Sequence, residues 1–282
     1  MSRLKAAVVQ VCSDRVVAKN LADIESQLMA YQQQQIDIIV LPECFAMLGG
    51  PQAEAALQAD EIREWMASTA RTLGSWLVGG SVPVRDIGDG RNHASCLVYS
   101  PTGDEVTCYN KMHLFDVEVS DSKGHYRESD DFIPGAVPGL VDIGEAKIGL
   151  SICYDLRFPE LYRTLVAQGA TILTVPSAFT KVTGAAHWEV LLKARAIENQ
   201  CYVLAANQAG THPDGRQTYG HSMIISPWGD ILAQAPAEGA SVITAELDLD
   251  ELARVRQRMP CLNHRRLIRD RKKLASESPR HG

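Results

Sequence analysis

Three things are missing from this chain, and each absence excludes a class of protein. No two of its seven cysteines form a C-x-x-C pair; Cys12, Cys44, Cys96, Cys108, Cys153, Cys201 and Cys261 are odd in number and scattered. A secreted disulfide framework and a zinc ribbon are therefore disfavoured, and most of these thiols read as small buried hydrophobes. No apolar stretch approaches the roughly 20 residues that a membrane-spanning helix needs, and the apolar run after Arg3 is too short for a secretory signal. Basic excess is also missing. Lys plus Arg total 28 against 34 Asp plus Glu, a formal net charge of -6 over 282 residues. Binding to polyanions needs a basic surface, so nucleic acid is not an expected partner. These absences describe a soluble protein of the cytoplasm with no membrane contact.

What is present is a globular composition, 45 % hydrophobic and 22 % charged, in a length that buries a sizeable core. Strand-like and helix-like segments alternate. Residues 4–11 and 36–41 are apolar runs, the second continuous as in a strand covered on both sides. Between them Leu21, Ile24, Leu28 and Tyr31 recur at helical spacing over 17–35. A helix over 54–73 and strands over 76–84 and 94–100 follow, the latter two reading as an antiparallel hairpin, so the sheet is mixed. The second half repeats the scheme: strands at 147–153, 171–175 and 202–206 with helices at 159–168 and 183–199. A hairpin at 223–235, a strand at 242–248 and a helix from Leu249 complete it. No linker divides the halves, and 1–282 reads as one α/β domain. Its tail is basic from Asn263 (Arg265, Arg266, Arg269, Arg271, Lys272, Lys273). The tail reads as a solvated segment or a subunit contact, since no aromatics interleave.

Three segments could carry chemistry. In Ile152-Cys153-Tyr154-Asp155-Leu156-Arg157-Phe158-Pro159 a buried strand ends at a cysteine and Pro159 is placed to open a helix. A nucleophile at such a turn is lifted from the sheet, and a nearby helix N-terminus lowers a thiol's pKa; the segment also suits a packed cysteine. In Ile39-Val40-Leu41-Pro42-Glu43-Cys44 a carboxylate follows an apolar strand, at the end where open α/β sheets build their sites. Desolvation there would raise its pKa toward the range of a general base, although a solvent-facing glutamate fits as well. In Asn110-Lys111-Met112-His113-Leu114-Phe115 the lysine is either a solvated charge or, near Cys153, a stabiliser of thiolate and oxyanion. A Cys–His hydrolase would instead take His113, His187 or His221 as its base. Their spacing gives no metal-ligand pattern.

Together, and in this order, the three segments resemble the nitrilase, or carbon–nitrogen hydrolase, superfamily, over most of the chain from Ala6 to about Arg266. The resemblance implies a four-layer α-β-β-α sandwich with mixed sheets. It implies Glu43 as general base, Lys111 as oxyanion and orienting cation, and Cys153 as nucleophile. A second family glutamate fits Glu128 in Tyr126-Arg127-Glu128-Ser129. The pairing Tyr154-Asp155 after the cysteine is amidase-like, and the segments 176–198 and 219–223 look like the Nit branch. That branch holds amidases of deaminated glutathione and omega-amidases of 2-oxoglutaramate type; Ser177 favours the former.

The implied chemistry is amide hydrolysis through a Cys153 thioester, with Lys111 and the Tyr154 N–H holding the oxyanion and no metal or organic cofactor required. The implied assembly is a homodimer or higher homo-oligomer, with the amphipathic stretch 249–255 near the interface. A carboxylate-bearing substrate needs further cations, for which Arg157, Lys181 and His187 are the nearest candidates in sequence. A scaffold that kept the fold without activity is the competing reading.

Overall fold

In the first strand, β1 (Arg3–Gln10), Ala6 and Val8 face one partner while Ala7 and Val9 face another, the period of two that a pleated strand imposes. The same division runs through β2 (Ile38–Leu41): Ile38 and Val40 join Ala6 and Val8, and Ile39 and Leu41 join Ala7 and Val9. One set packs on helices; the other packs on a second sheet. All of these residues are buried, which is why the sequence shows unbroken apolar runs.

The structure is a computed structural model that describes residues 3–121 and 123–266. After β1 come α1 (Val17–Met29), β2, α2 (Gln52–Ala56), α3 (Ala59–Leu73), β3 (Trp76–Arg85), β4 (Asn92–Tyr99) and β5 (Glu105–Asn110). A small hairpin, β6 (Asp116–Glu118) and β7 (His125–Arg127), leads to β8 (Gly139–Asp142), β9 (Lys147–Leu150), α4 (Pro159–Ala167), β10 (Ile172–Thr174), α5 (Lys181–Asn199) and β11 (Tyr202–Ala205). A second small pair, β12 (Ala209–Thr211) and β13 (Gln217–Tyr219), precedes β14 (Met223–Ile225), β15 (Ile231–Gln234), β16 (Ser241–Asp248) and α6 (Leu249–Arg258).

Two six-stranded sheets result, in the orders β16-β1-β2-β3-β4-β5 and β15-β14-β11-β10-β9-β8. Each has three parallel strands at its centre, β1-β2-β3 and β9-β10-β11, flanked by antiparallel ones. Leu21, Ile24 and Leu28 of α1 and Ile62, Met66 and Ala70 of α3 cover the outer face of the first sheet. Leu161 and Leu165 of α4 and Trp188, Leu192 and Ala196 of α5 pack with the second. The layers run α-β-β-α, the sandwich that the resemblance implied.

Several local expectations need correction. The helix expected over 17–35 stops at Met29, because a 3₁₀ turn at Gln32–Gln34 and a left-handed Gln35 (φ 49°) redirect the chain into β2. The helix expected over 54–73 is two, broken at Leu57 and Gln58. The strand expected to reach Cys153 ends at Leu150. On α6, Leu252 and Val255 are buried within the chain itself, so the apolar face of that stretch is not free for a partner. Of the basic tail, residues 267–282 lie outside the described residues. No helix among the described residues is long and apolar enough to cross a membrane.

Candidate active site

The segments that follow the central strands β2, β9 and β10 converge. After β2 the chain makes a sharp turn at Pro42-Glu43-Cys44, with Cys44 in the left-handed region (φ 55°). A bulge in β3 receives this turn. Gly80 (φ 47°) comes so near that a Cβ there would lie 1.9 Å from the Pro42 carbonyl oxygen, and only glycine fits. Its neighbour Ser81 accepts a hydrogen bond from the Cys44 N–H on Oγ (2.9 Å). The Glu43 carboxylate is thereby held inward, 5 % exposed. After β9, Cys153 adopts φ 47° at the head of a five-residue 3₁₀ turn, and its N–H donates to the Pro176 carbonyl (2.8 Å). A non-glycine residue there marks a strained elbow of the kind found at functional sites. The long helix opens only at Pro159, so Cys153 does not sit on its N-terminus as the sequence suggested.

Lys111 joins the two turns. Its ammonium, 1 % exposed, donates to Glu43 Oε1 (2.8 Å) and to both oxygens of Glu128 (2.8 Å each). Glu128 opens the turn after β7, and its Oε2 also accepts from the Phe115 N–H (2.6 Å). The other oxygen of Glu43 accepts from the Ala178 N–H (2.8 Å). The Cys153 thiol lies beside Glu43 and completes a buried set of Glu43, Lys111, Glu128 and Cys153. Tyr154 N–H is among the first donors of the 3₁₀ turn, which find no acceptor within a turn.

Asp155 fastens the lysine segment to the cysteine elbow. Fully buried, it accepts from Tyr109 OH (2.7 Å) and the Ile152 N–H (2.9 Å) on Oδ2. Its Oδ1 accepts from the His113 N–H (3.1 Å) and meets His113 Nδ1 at 2.6 Å. The His113 ring stacks on Phe158 with centroids 3.7 Å apart. His113 is thus a brace between the two segments, and it does not line the cavity beside Cys153.

The charges in this set oppose one another, and their balance reverses two expectations. Burial pushes the Glu43 acid up, but Lys111, and then Arg216 and the Cys153 thiol, outweigh it, so Glu43 is held below the ordinary carboxylate range. Glu128 goes the other way: burial and the like charge of Glu43 raise it despite Lys111. Lys111 resists burial because Glu128 and Glu43 raise it well above its ordinary value. Cys153 is raised well above a free thiol, first by burial and then by Glu43, against the pull of Lys111. The resting site therefore pairs a thiol with a carboxylate, whereas the sequence suggested a thiolate beside a raised acid. Cys44 also lines the cavity, and burial together with Glu43 pushes its thiol up to about 12. Cys96, Cys153 and Cys201 are buried, whereas Cys12 and Cys108 are exposed, so fewer cysteines serve as core than expected.

A cavity of about 200 Å³ opens onto Cys153, Lys111, Glu43 and Glu128. On the other side of Cys153 a narrow recess is lined by Arg157, Phe179 and Thr183. Arg157 lies over the Phe179 ring (5.1 Å) with Nη1 3.2 Å from His187 Nδ1. Lys181 is a correction: at the solvent-facing start of α5 it lines a separate surface cavity with Asp121 and Gln217, 3.9 Å from Glu238. His187 is exposed on α5 and reaches the site only through Arg157. His221 bonds the Tyr219 carbonyl through Nδ1 (2.9 Å), away from Cys153. No histidine lines either the cavity or the recess among the described residues, so a Cys–His pairing is not assembled.

One residue that lines both spaces was missed. Arg216 donates from Nη2 to the Ala178 carbonyl (2.7 Å) and lies over the Tyr126 ring (5.3 Å). Its Nε is buried without an acceptor, a state that costs about 1–3 kcal/mol. In the sequence it stands in a turn-like run, Pro213-Asp214-Gly215-Arg216, that gives no signal.

Residues 5–257 match the carbon-nitrogen hydrolase family, and the chain belongs to it. It is 39 % identical over 274 residues to the deaminated glutathione amidase of Yersinia enterocolitica, covering 95 % of both chains. Against omega-amidase NIT2 of Danio rerio the identity is 36 % over 269 residues, covering 94 % of this chain and 96 % of that one. The crystal structure of the C. elegans NitFhit protein superposes with a TM-score of 0.87 at 39 % identity, over 94 % of this chain and 66 % of that one.

Proposed function

We propose that the protein hydrolyses a linear amide through a Cys153 thioester, and that its substrate is deaminated glutathione. The observation that carries this reading is the position of Lys111, bound at 2.8 Å to both Glu43 and Glu128 beside the Cys153 thiol. Glu43 takes the Cys153 proton as the sulfur attacks the carbonyl carbon. The oxyanion is held by Lys111 and the Tyr154 N–H, and Glu128 keeps Lys111 in place. Collapse breaks the C–N bond, and Glu43 returns the proton to the leaving amine. Water, deprotonated by Glu43, then attacks the thioester; the acid leaves and the Cys153 thiol is restored. A buried thiol beside an ionised carboxylate suits this route, because charge separates only when the substrate has expelled water.

The substrate assignment is supported by the curated relatives and by two guanidinium groups, Arg157 and Arg216, at the recess beside Cys153. The omega-amidase reading, with a 2-oxoglutaramate-type substrate, is favoured by relatives such as the Danio rerio enzyme and shares the same acyl group. A panel of deaminated glutathione, 2-oxoglutaramate, neutral aliphatic amides and nitriles, assayed for amine or ammonia release, is expected to give the highest kcat/KM for deaminated glutathione. A preference for 2-oxoglutaramate would transfer the assignment to the omega-amidases; no turnover of any amide would leave the scaffold reading.

The reading extends to a cytoplasmic enzyme assembled as a homodimer or higher homo-oligomer, without nucleic-acid or membrane partners. Apolar side chains left exposed on α5 and the β14–β15 turn, among them Val190 (67 %), Ile197 (51 %) and Trp228 (54 %), support a contact between copies. At micromolar concentration the solution mass is expected to be at least twice the 30.8 kDa of one chain. Sedimentation at the single-chain mass would refute the assembly.

A further inference from the structure

The cation that the sequence did not offer is placed better than those it did. Lys181 is outside the site, and Arg157 lines the narrow recess alone, whereas Arg216 lines both the recess and the roomy cavity, as Cys153 does. Neither Arg157 nor Arg216 makes an ion pair with a carboxylate among the described residues. The Arg216 guanidinium is fixed from two sides, by the Ala178 carbonyl at Nη2 and by the Tyr126 ring, while its buried Nε–H has no acceptor. Such a group is held ready for an oxygen that the protein does not supply.

We propose that Arg216 is a specificity-determining residue whose guanidinium binds the carboxylate on the acyl part of an anionic amide. The inference rests on the amidase reading above and adds the group that selects the acid. Two guanidinium groups without carboxylate partners face one recess beside the nucleophile, where an anion lying between them is attracted by both. The recess, about 10 Å³, has room for little more than one oxygen between the two cations, while the cavity of about 200 Å³, which Arg216 also lines, has room for the rest of the substrate beside Cys153. Arg216 also touches Ala178, whose N–H holds Glu43, so a merely positioning role is the alternative to be separated.

The separation comes from Arg216→Gln, read in two ways. Titration calorimetry with 2-oxoglutarate, which requires no turnover, is expected to show binding to the wild-type protein that weakens about 10–100-fold in the variant, the worth of a hydrogen bond to a charged group. Steady-state kinetics are expected to show KM for an anionic oxo-amide rising by a similar factor, with kcat far less affected and a much smaller change on a neutral amide. Arg216→Lys, which keeps the charge and loses the planar fork, is expected to lie between the two and serves if the glutamine variant does not fold. Equal losses on charged and neutral amides, or 2-oxoglutarate affinity unchanged within twofold, would overturn the proposal and leave Arg216 as a support for Glu43. Arg216-dependent binding of 2-oxoglutarate by a protein that hydrolyses none of the amides would sustain the anion site while removing the amidase reading.

Discussion

Cys153→Ala is expected to abolish amide hydrolysis, by about 10⁴-fold or more, while the protein remains folded. The covalent route disappears with its sulfur, and the remaining groups of a site that acts as a unit recover little on their own. The fold should tolerate the change. Alanine is smaller than cysteine and meets the same backbone at φ 47°, and the backbone bond to the Pro176 carbonyl does not involve the side chain. Melting temperatures of the two proteins should therefore agree within a few degrees. The other cysteines give the contrast. Cys201 lies in the core, donating to the Ala170 carbonyl (3.4 Å) with Arg256 Nη2 3.3 Å away, so its loss acts on stability. Cys44 lines the same cavity, but its thiol, pushed up to about 12, has Ser81 as its neighbour, and the Glu43 carboxylate is bonded to Lys111 and the Ala178 N–H. An acid quench of the wild-type reaction followed by intact-mass analysis should trap an acyl group on Cys153 and none on the variant. Turnover surviving in Cys153→Ala would sink the covalent mechanism.

The parts of this site that the sequence revealed are those carried by strand ends. Glu43 follows the apolar run of β2, Cys153 follows β9 by three residues, and their order in the chain needed no knowledge of tertiary contacts. The alternating elements likewise announced a mixed α/β fold, but the pairing of two sheets face to face came from the resemblance. Period-two patterns cannot show it, because in β1 and β2 both faces are buried and the apolar run is continuous. Glu128 was visible only through the resemblance: it follows a three-residue strand, in a segment without periodicity. Arg216 was invisible because its loop, from β12 to β13, is brought to the site by long-range packing on Ala178 and Tyr126. Lys181 was misplaced for the converse reason. Proximity in sequence to Phe179, whose ring does line the recess, did not survive the turn into α5, where Lys181 faces solvent. The directions of the pKa shifts differ from those expected because a single segment does not show what surrounds it: Lys111 overrides burial at Glu43, and at Cys153 burial, with Glu43 beside it, overrides Lys111.

Lys111→Met should produce the second large effect, and its dependence on pH identifies its origin. In the wild-type protein one ammonium with 1 % exposure is paired with two carboxylates at 2.8 Å. Methionine preserves most of the volume and leaves Glu43 and Glu128 buried together without their cation. Breaking a buried pair in this way costs about 3–5 kcal/mol, or roughly 10 °C in melting temperature for a chain of this size. Glu43 has a lowered pKa in the wild type, so it adds stability that is present above its unfolded value and lost as pH falls through the folded one. Without Lys111, burial and the neighbouring carboxylate raise it instead. The folded variant then binds protons that the unfolded chain has released, and its stability falls as pH rises above the unfolded carboxylate value, near 4.3. Glu128 is already raised in the wild type and is raised further. Melts at about pH 5, 6.5 and 8 should accordingly show a gap between wild type and Lys111→Met that widens with pH. Activity should fall at least 10²–10³-fold at every pH, the usual loss for an oxyanion donor, including at about pH 5 where the variant is most stable. A melting gap that stays constant across this range would mean that Lys111 contributes packing and not charge, and turnover retained at the stable pH would remove it from the oxyanion site.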